Sequence, residues 1–367
     1  MNLSQWHKKQ AVLLYHFASS SYLEGLRDRV RALRVFAEGI LDTSDAEGRD
    51  VYLRSKQWGN RNTGENWANN GWPLLSDFQR SVAQSIVDQR SNIYHKTGAY
   101  QCARAMSEFS MQWTTSTEQD QFDEMFAELY KYAGYIDETT DRTTAATRWD
   151  DFGLTLAWEH HAVQFPVLPK MRIRPDLLAH SGQMPPKTGV YVSLDDPDAT
   201  LQFAWTGSPI GKLLDATTFN ATGKSALAAV GRAGLWRDGE AMLRFVLGNL
   251  SNPDLINDSF FEDSKTAELA PSLVARNAFT SAPSRWCYVE LAKDEYEPIE
   301  PEVDEARQET LRCAAGELCA KDGFYFSPAA VSSRRHFQYG EQFPSLSSDY
   351  GKTIWQWDDN QESGVVT

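Results

Sequence analysis

From residue 1 to about 165, apolar positions recur at three- and four-residue steps. Ser21 and Glu24 have capping-box spacing, and Leu23, Leu26, Val30, Leu33 and Ile40 then form one stripe, which predicts an amphipathic helix. The stretch from Ser76 to about His95 repeats the pattern with Phe78, Val82 and Ile86. "YQCARAMSEFSMQW" does so with Cys102, Met106, Phe109 and Trp113, and "QFDEMFAELYKYAGYI" with Phe122, Met125, Phe126, Leu129, Tyr132 and Ile136. Each stripe must be covered by another element, so these segments predict an N-terminal α-helical bundle over 1–165. One interruption, "WGNRNTGENWANNGWP" at 58–73, sets turn-forming Gly and Asn around large aromatics and reads equally as a functional loop or a packed omega loop.

The texture then changes. Pro166, Pro169, Pro175, Pro185 and Pro186 break helical periodicity and predict a linker over 166–188. "GVYVS" and "TLQFAW" read as strands of a hairpin joined through the acidic turn "LDDPDA", and "SRWCYVEL" as a further strand. Between them "GKSALAAVGRAGLW" and "GEAMLRFVLGNL" carry helical spacing. The segment "KDEYEPIEPEVDEAR" at 293–307 has little apolar material and reads as an exposed acidic arm. The expected fold is therefore α+β: a helical domain, the linker, and an α+β domain over 189–367 that ends in a small β-rich module at about 311–360.

Composition narrows the classes of partner. The chain has 367 residues with 41% hydrophobic and 12% aromatic content, enough to build real cores. Lys and Arg number 36 against 50 Asp and Glu, a formal charge of −14 that disfavours nucleic acid and anionic membrane and favours a basic partner. No apolar run approaches the ~20 residues needed to span a bilayer, and His16 interrupts the one apolar patch near the N-terminus, so a cytoplasmic location is expected. Cys102 and Cys287 read as isolated buried thiols. Cys313 and Cys319 lack the second donor pair that a structural zinc needs, and read as reduced core residues with a disulfide as the alternative.

Candidate chemistry is sparse. "TTFNATGKSAL" ends like a phosphate-binding loop, but Thr218 stands where the first glycine would let the backbone wrap a phosphate. "AWEHHAVQFP" places Glu159 beside His160 and His161. Adjacent histidines on a helix point about 100° apart, so one ion rarely takes both; one imidazole is expected to pack against aromatics and the other to face water. No metal, cofactor or catalytic residue is assigned.

The C-terminal stretch carries a more specific pattern. Cys313, Gly316 and Cys319 are followed by Gly323, Tyr325, Phe326, Ser327, Pro328 and Ala329, then by Arg334, Arg335 and Phe337. Gly340, Glu341 and Pro344 come next, and Gly351, Thr353, Trp355 and Trp357 close the run. In order and spacing these residues resemble the immunity proteins of bacterial polymorphic-toxin and type VI secretion systems, in particular families seventy-one and seventy-two. "SGQMPPKTGVYVSLDDPDATLQFAWTG" looks like the same families, so the resemblance covers about 180–360. It departs at Ala320, where the pattern has a proline. The motif occurs in proteins that face different toxins, which marks Cys313, Cys319, Gly340, Glu341, Pro344, Trp355 and Trp357 as a structural module and leaves specificity elsewhere.

The resemblance implies a protein that binds and neutralises a cognate toxin, without catalysis or cofactor of its own. An acidic inhibitor gains association rate toward a basic toxin by electrostatic steering. The expected contacts pair aromatic anchors with acids: Trp58, Trp67 and Trp72; Asp195, Asp196 and Asp198; Asp294, Glu295 and Glu297. Two other classes remain open, a metal-dependent hydrolase or detoxifying enzyme using Glu159, His160 and His161, and an adaptor or chaperone that loads an effector onto its secretion machinery.

Overall fold

The computed structural model describes residues 3–54, 62–142, 148–300, 312–319, 321–327, 330, 333–346 and 353–358. The architecture is α+β, helices dominating the N-terminal part and sheets the C-terminal part. The chain divides into two compact units, Met1–Asn220 with Phe279–Glu300, and Ala221–Ala278 with Pro301–Thr367.

The helices of the first unit are α1 (Gln5–Phe17), α2 (Ser20–Glu47), α3 (Val51–Arg54), α4 (Gly64–Asn66), α5 (Trp72–Gln89), α6 (Ala99–Met106), α7 (Ser116–Thr140) and α8 (Asp151–His161). Its strands are β1 (Val167–His180), β2 (Gly189–Ser193), β3 (Gln202–Ala204), β4 (Ala216–Phe219), β5 (Phe279–Ala282) and β6 (Arg285–Pro298). The predicted stripe of α2 is buried throughout, with Leu26, Val30 and Leu33 fully inside. Its cap differs from the expectation: Ser19, not Ser21, accepts the Tyr22 amide at 3.2 Å, because α1 ends only at Phe17 and the chain turns at once. At its other end Gly48 adopts a left-handed φ of 62° and accommodates the turn that closes the helix. Thr115 and Glu118 form a reciprocal capping box on α7, and Arg49 clamps the Glu118 carboxylate at 2.5 Å.

Helix α1 is buried on nearly every side, including its polar residues Gln10 and Lys9. Such a helix must satisfy its polar groups internally. Gln10 Oε1 accepts the Leu201 amide at 3.0 Å, the Trp6 indole donates to Asp151 Oδ2 at 2.6 Å, and the Tyr15 hydroxyl donates to the Val289 carbonyl at 2.5 Å. These bonds tie α1 to α8 and to two parts of the sheet.

That sheet has the order β1-β6-β2-β3, with every neighbouring pair antiparallel; β4 and β5 form a separate antiparallel pair. Successive strand residues point to opposite faces. On one face Val190, Val192, Cys287 and Val289 join the core of the helices, and on the other Tyr191, Trp286 and Tyr288 pack with Ala204, Leu213 and Ala216. A sheet covered on both faces explains why all of "GVYVS" is buried and shows no polar alternation.

The proline-rich segment expected to be a linker is instead largely β1. It lies at the edge of the sheet, where a proline's missing N–H can face away from the ladder. The register shifts between Pro169 and Met171 and again between Arg174 and Leu178, so the irregularities fall beside the prolines. Residues 293–298 of the expected acidic arm are likewise the end of strand β6; residues 301–307 lie outside the described residues.

The second unit contains α9 (Ala221–Val230), α10 (Gly239–Gly248), α11 (Pro253–Ile256) and α12 (Ala270–Arg276). Gly223, Lys224 and Ser225 fall within α9. It also contains β7 (Arg312–Ala314), β8 (Gly323–Phe326), β9 (Arg335–Phe337) and β10 (Ile354–Trp357), in the order β7-β10-β8-β9. Among the described residues no helix is long and apolar enough to cross a membrane.

Replacing Gln10 by Leu leaves the buried Leu201 amide without its acceptor. This substitution is expected to cost about 1–3 kcal/mol, measured as a lower urea midpoint with accelerated exchange of the Leu201 amide. An unchanged midpoint would show that α1 is not fixed to the sheet by this bond.

Candidate functional site

The C-terminal motif residues described by the structure build a core of their own. Cys313, Cys319, Tyr325, Phe337, Phe343 and Trp355 are buried together, and Trp357 packs against them. The Trp355 indole donates to the Pro344 carbonyl at 2.8 Å. Gly340 has φ 82°, a conformation that suits glycine, and its amide donates to the Cys319 carbonyl while the Cys319 amide donates to Glu341, both at 2.7 Å. Glu341 in turn accepts from the Gln338 amide and from Arg335, each at 3.0 Å. Neither cysteine is in a disulfide, Cys319 donates to the Lys321 carbonyl at 3.0 Å, and burial raises the Cys313 pKa. Pro328, Ala329 and Gly351 lie outside the described residues.

The expected toxin contacts are distributed unevenly. Trp58 lies outside the described residues. Trp67 requires correction: it is fully buried, its ring 5.5 Å from Trp113 and 5.9 Å from Phe122, in a π-helical turn (Trp67–Gly71) that leads into α5. Gly71 sits directly on its indole, at 3.1 Å for an added Cβ, so this half of the loop is packed and Trp67 cannot anchor a partner. Trp72 is half-buried beneath the Arg34 guanidinium, 4.6 Å from the ring centre.

Most of the expected acidic contacts in the first unit are engaged in bonds within it. Asp195 receives the Arg285 amide and guanidinium at 2.7 and 2.6 Å, which lowers its pKa. Asp196 accepts from the Thr218 hydroxyl at 2.7 Å and from the Asp198 amide at 2.9 Å, shaping the turn after β2. On β6, Glu295 pairs with Arg172 at 3.0 Å and Lys170 at 3.5 Å on β1, and Glu297 pairs with Lys8 on α1 at 2.6 Å. Asp294 is exposed and has φ 58°.

The histidine pair divides as the sequence suggested: His161 is buried and His160 exposed. His161 Nδ1–H donates to the Ala157 carbonyl one turn back at 2.8 Å, which sets its tautomer and leaves Nε2 as an acceptor. Its ring lies edge-on to Phe17 at 5.1 Å and Tyr135 at 4.8 Å. Among the described residues no group of three or more His, Cys, Asp or Glu is placed to hold a metal ion.

Sequence reasoning missed what these histidines border. They line a cavity of about 540 Å³ with His16, Ser21, Tyr22, Arg29, Glu128, Lys131, Tyr132, Tyr135 and Gln164. Tyr22 and Tyr132 stack at 3.9 Å, and the Arg29 guanidinium lies 3.9 Å from the centre of Tyr132. Gly25 permits this stack, because a Cβ there would stand 2.5 Å from the Tyr132 hydroxyl. A signal was present in α7, where Glu128, Lys131, Tyr132 and Tyr135 share a face by their three- and four-residue steps. Reading Tyr132 as part of the apolar stripe hid it.

Compared with models of known protein families, with curated proteins and with solved structures, the chain shows no match.

Burial, reinforced by the neighbouring His161, lowers the His16 pKa to about 4, and burial lowers that of His161 as well. The unfolded chain takes up these protons near the ordinary value of about 6.5, so acidification between pH 6.5 and 4 favours unfolding through His16. Asp137 and Asp150, raised by burial to about 6, act in the opposite sense. They cancel in a comparison with His16→Gln. The stability of the native chain relative to that variant is expected to fall as the pH drops through this window and to be flat above pH 7, as followed by urea titration.

Gly340→Ala places a side chain on a left-handed backbone and is expected to destabilise the second unit by about 1–2 kcal/mol. Hydrogen exchange at the Gly340 and Cys319 amides is the direct readout.

Proposed function

We propose that this chain is an immunity protein: it binds and neutralises a cognate bacterial toxin, delivered by type VI secretion or a related system, and protects the producing cell without catalysis of its own. The observation that carries this reading is the C-terminal motif run, whose described residues close into a self-contained core. That is how a scaffold shared by proteins facing different toxins would be built, with specificity carried by other surfaces. The net charge of −14 supports a basic partner. With protection needed where the toxin acts, the cytoplasm is the proposed location.

The candidate contacts are now ranked by geometry. A carboxylate already clasped by a guanidinium, such as Asp195, projects less field toward a partner than an exposed one. Asp294 and the half-buried Trp72 are therefore placed first, Asp196, Asp198, Glu295 and Glu297 after them.

The test is co-expression with the product of the adjacent reading frame. Growth rescue together with co-purification is the expected result. Co-purification without rescue would replace this reading with an effector-loading adaptor, and the absence of both rescue and co-purification would overturn it. Within such a complex, Asp294→Asn removes the charge while keeping a side chain that tolerates the left-handed backbone. It is expected to slow association several-fold at low salt with little effect on dissociation, an effect that added salt erases.

A further inference from the structure

We infer that the cavity between α1, α2, α7 and α8 is a binding site for a small organic oxyanion, a phosphate or carboxylate carried on a flat body. Two observations converge on it. The first is charge: the lining holds two fixed cations, Arg29 and Lys131, against one carboxylate, Glu128, in a chain whose overall charge is −14. A local excess of cations runs against the composition and creates a potential well for an anion.

The second is preorganisation. The Arg29 guanidinium is held over Tyr132, its Nη1 donating to the Gly25 carbonyl at 3.1 Å, so little side-chain freedom remains to be lost when its other N–H groups meet an oxyanion. Lys131 lies one residue before Tyr132 on α7, Ser21 and Gln164 add neutral donors, and His160 adds an exposed imidazole.

The volume of about 540 Å³ suits a small organic molecule better than a bare ion. Tyr22, Tyr135 and the histidine rings provide the apolar wall against which a flat body would rest. This inference is independent of toxin binding and requires no reaction at the site.

Phenyl phosphate is the probe, with benzamidine as an aromatic cation of similar size and inorganic phosphate as the bare anion. The full chain is titrated at pH 7.5 and constant ionic strength while the ring resonances of His16, His160 and His161 are followed by NMR. Saturable shifts with phenyl phosphate, weaker ones with inorganic phosphate and none with benzamidine are expected. Lys131→Ala should weaken phenyl phosphate binding about tenfold or more, the scale of one charge-assisted hydrogen bond. Because Arg29→Ala also removes packing on Tyr132, Arg29→Lys serves as its partner: it keeps the charge, and it is expected to retain more affinity than Arg29→Ala. Linear, unsaturable shifts, an equal response to benzamidine, or unchanged affinity in a folded Lys131→Ala variant would overturn the assignment. A chain that rescues growth yet ignores phenyl phosphate would overturn this inference alone.

Discussion

The first unit depends on α1 being a helix with almost no free face. Burying Gln10 and the Trp6 indole is tolerable only because each meets a partner inside, Gln10 at the Leu201 amide and Trp6 at Asp151. Those partners lie far along the chain, so α1 cannot reach its native environment until α8 and the sheet are in place. Long-range polar bonds of this kind specify one arrangement where apolar packing alone would tolerate several.

The sheet follows from the same constraint. Because the helical core packs on one face and Ala204, Leu213 and Ala216 pack with Tyr191, Trp286 and Tyr288 on the other, β2 and the stretch Trp286–Val289 of β6 are buried throughout. The edge position is then left for the segment least able to pair on both sides, and the proline-bearing β1 occupies it. Ion pairs between Glu295 and Arg172, and between Glu297 and Lys8, fasten the far end of this strand pair and α1. Residues that resembled a free acidic arm thus neutralise cations brought to them by the fold. Exposed pairs of this type contribute little stability each, and their main effect is on the local field.

That redistribution of charge matters for function. An overall charge of −14 describes the whole surface, yet pairing within the first unit mutes several acids, while the cavity beside His160 gathers cations. The proposed toxin surface and the proposed oxyanion site therefore differ in sign, and they would be read by chemically different partners. The histidine pair sits at that site without any grouping of donors for a metal among the described residues.

The amino-acid sequence by itself determined the local elements: the stripe of α2, the strands "GVYVS" and "SRWCYVEL", the helices at "GKSALAAV" and "GEAMLRFV", and the α+β class. These depend on periodicity and capping, which act over a few residues. It also anticipated one buried and one exposed imidazole in the His160–His161 pair, without deciding which, because neighbours on a helix diverge by about 100°. Tertiary structure alone decided the rest. Most of the proline-bearing segment, with Pro169 and Pro175, became an edge strand, since edge or linker depends on what lies beside it. Trp67 became core, because the rings of Trp113 and Phe122 reach it only in three dimensions. The cavity arose where four helices bring together residues as distant as His16, Arg29, Lys131 and His160. No short-range pattern encodes such a meeting, because it is set by how the buried faces pack and not by the residues that end up lining the gap.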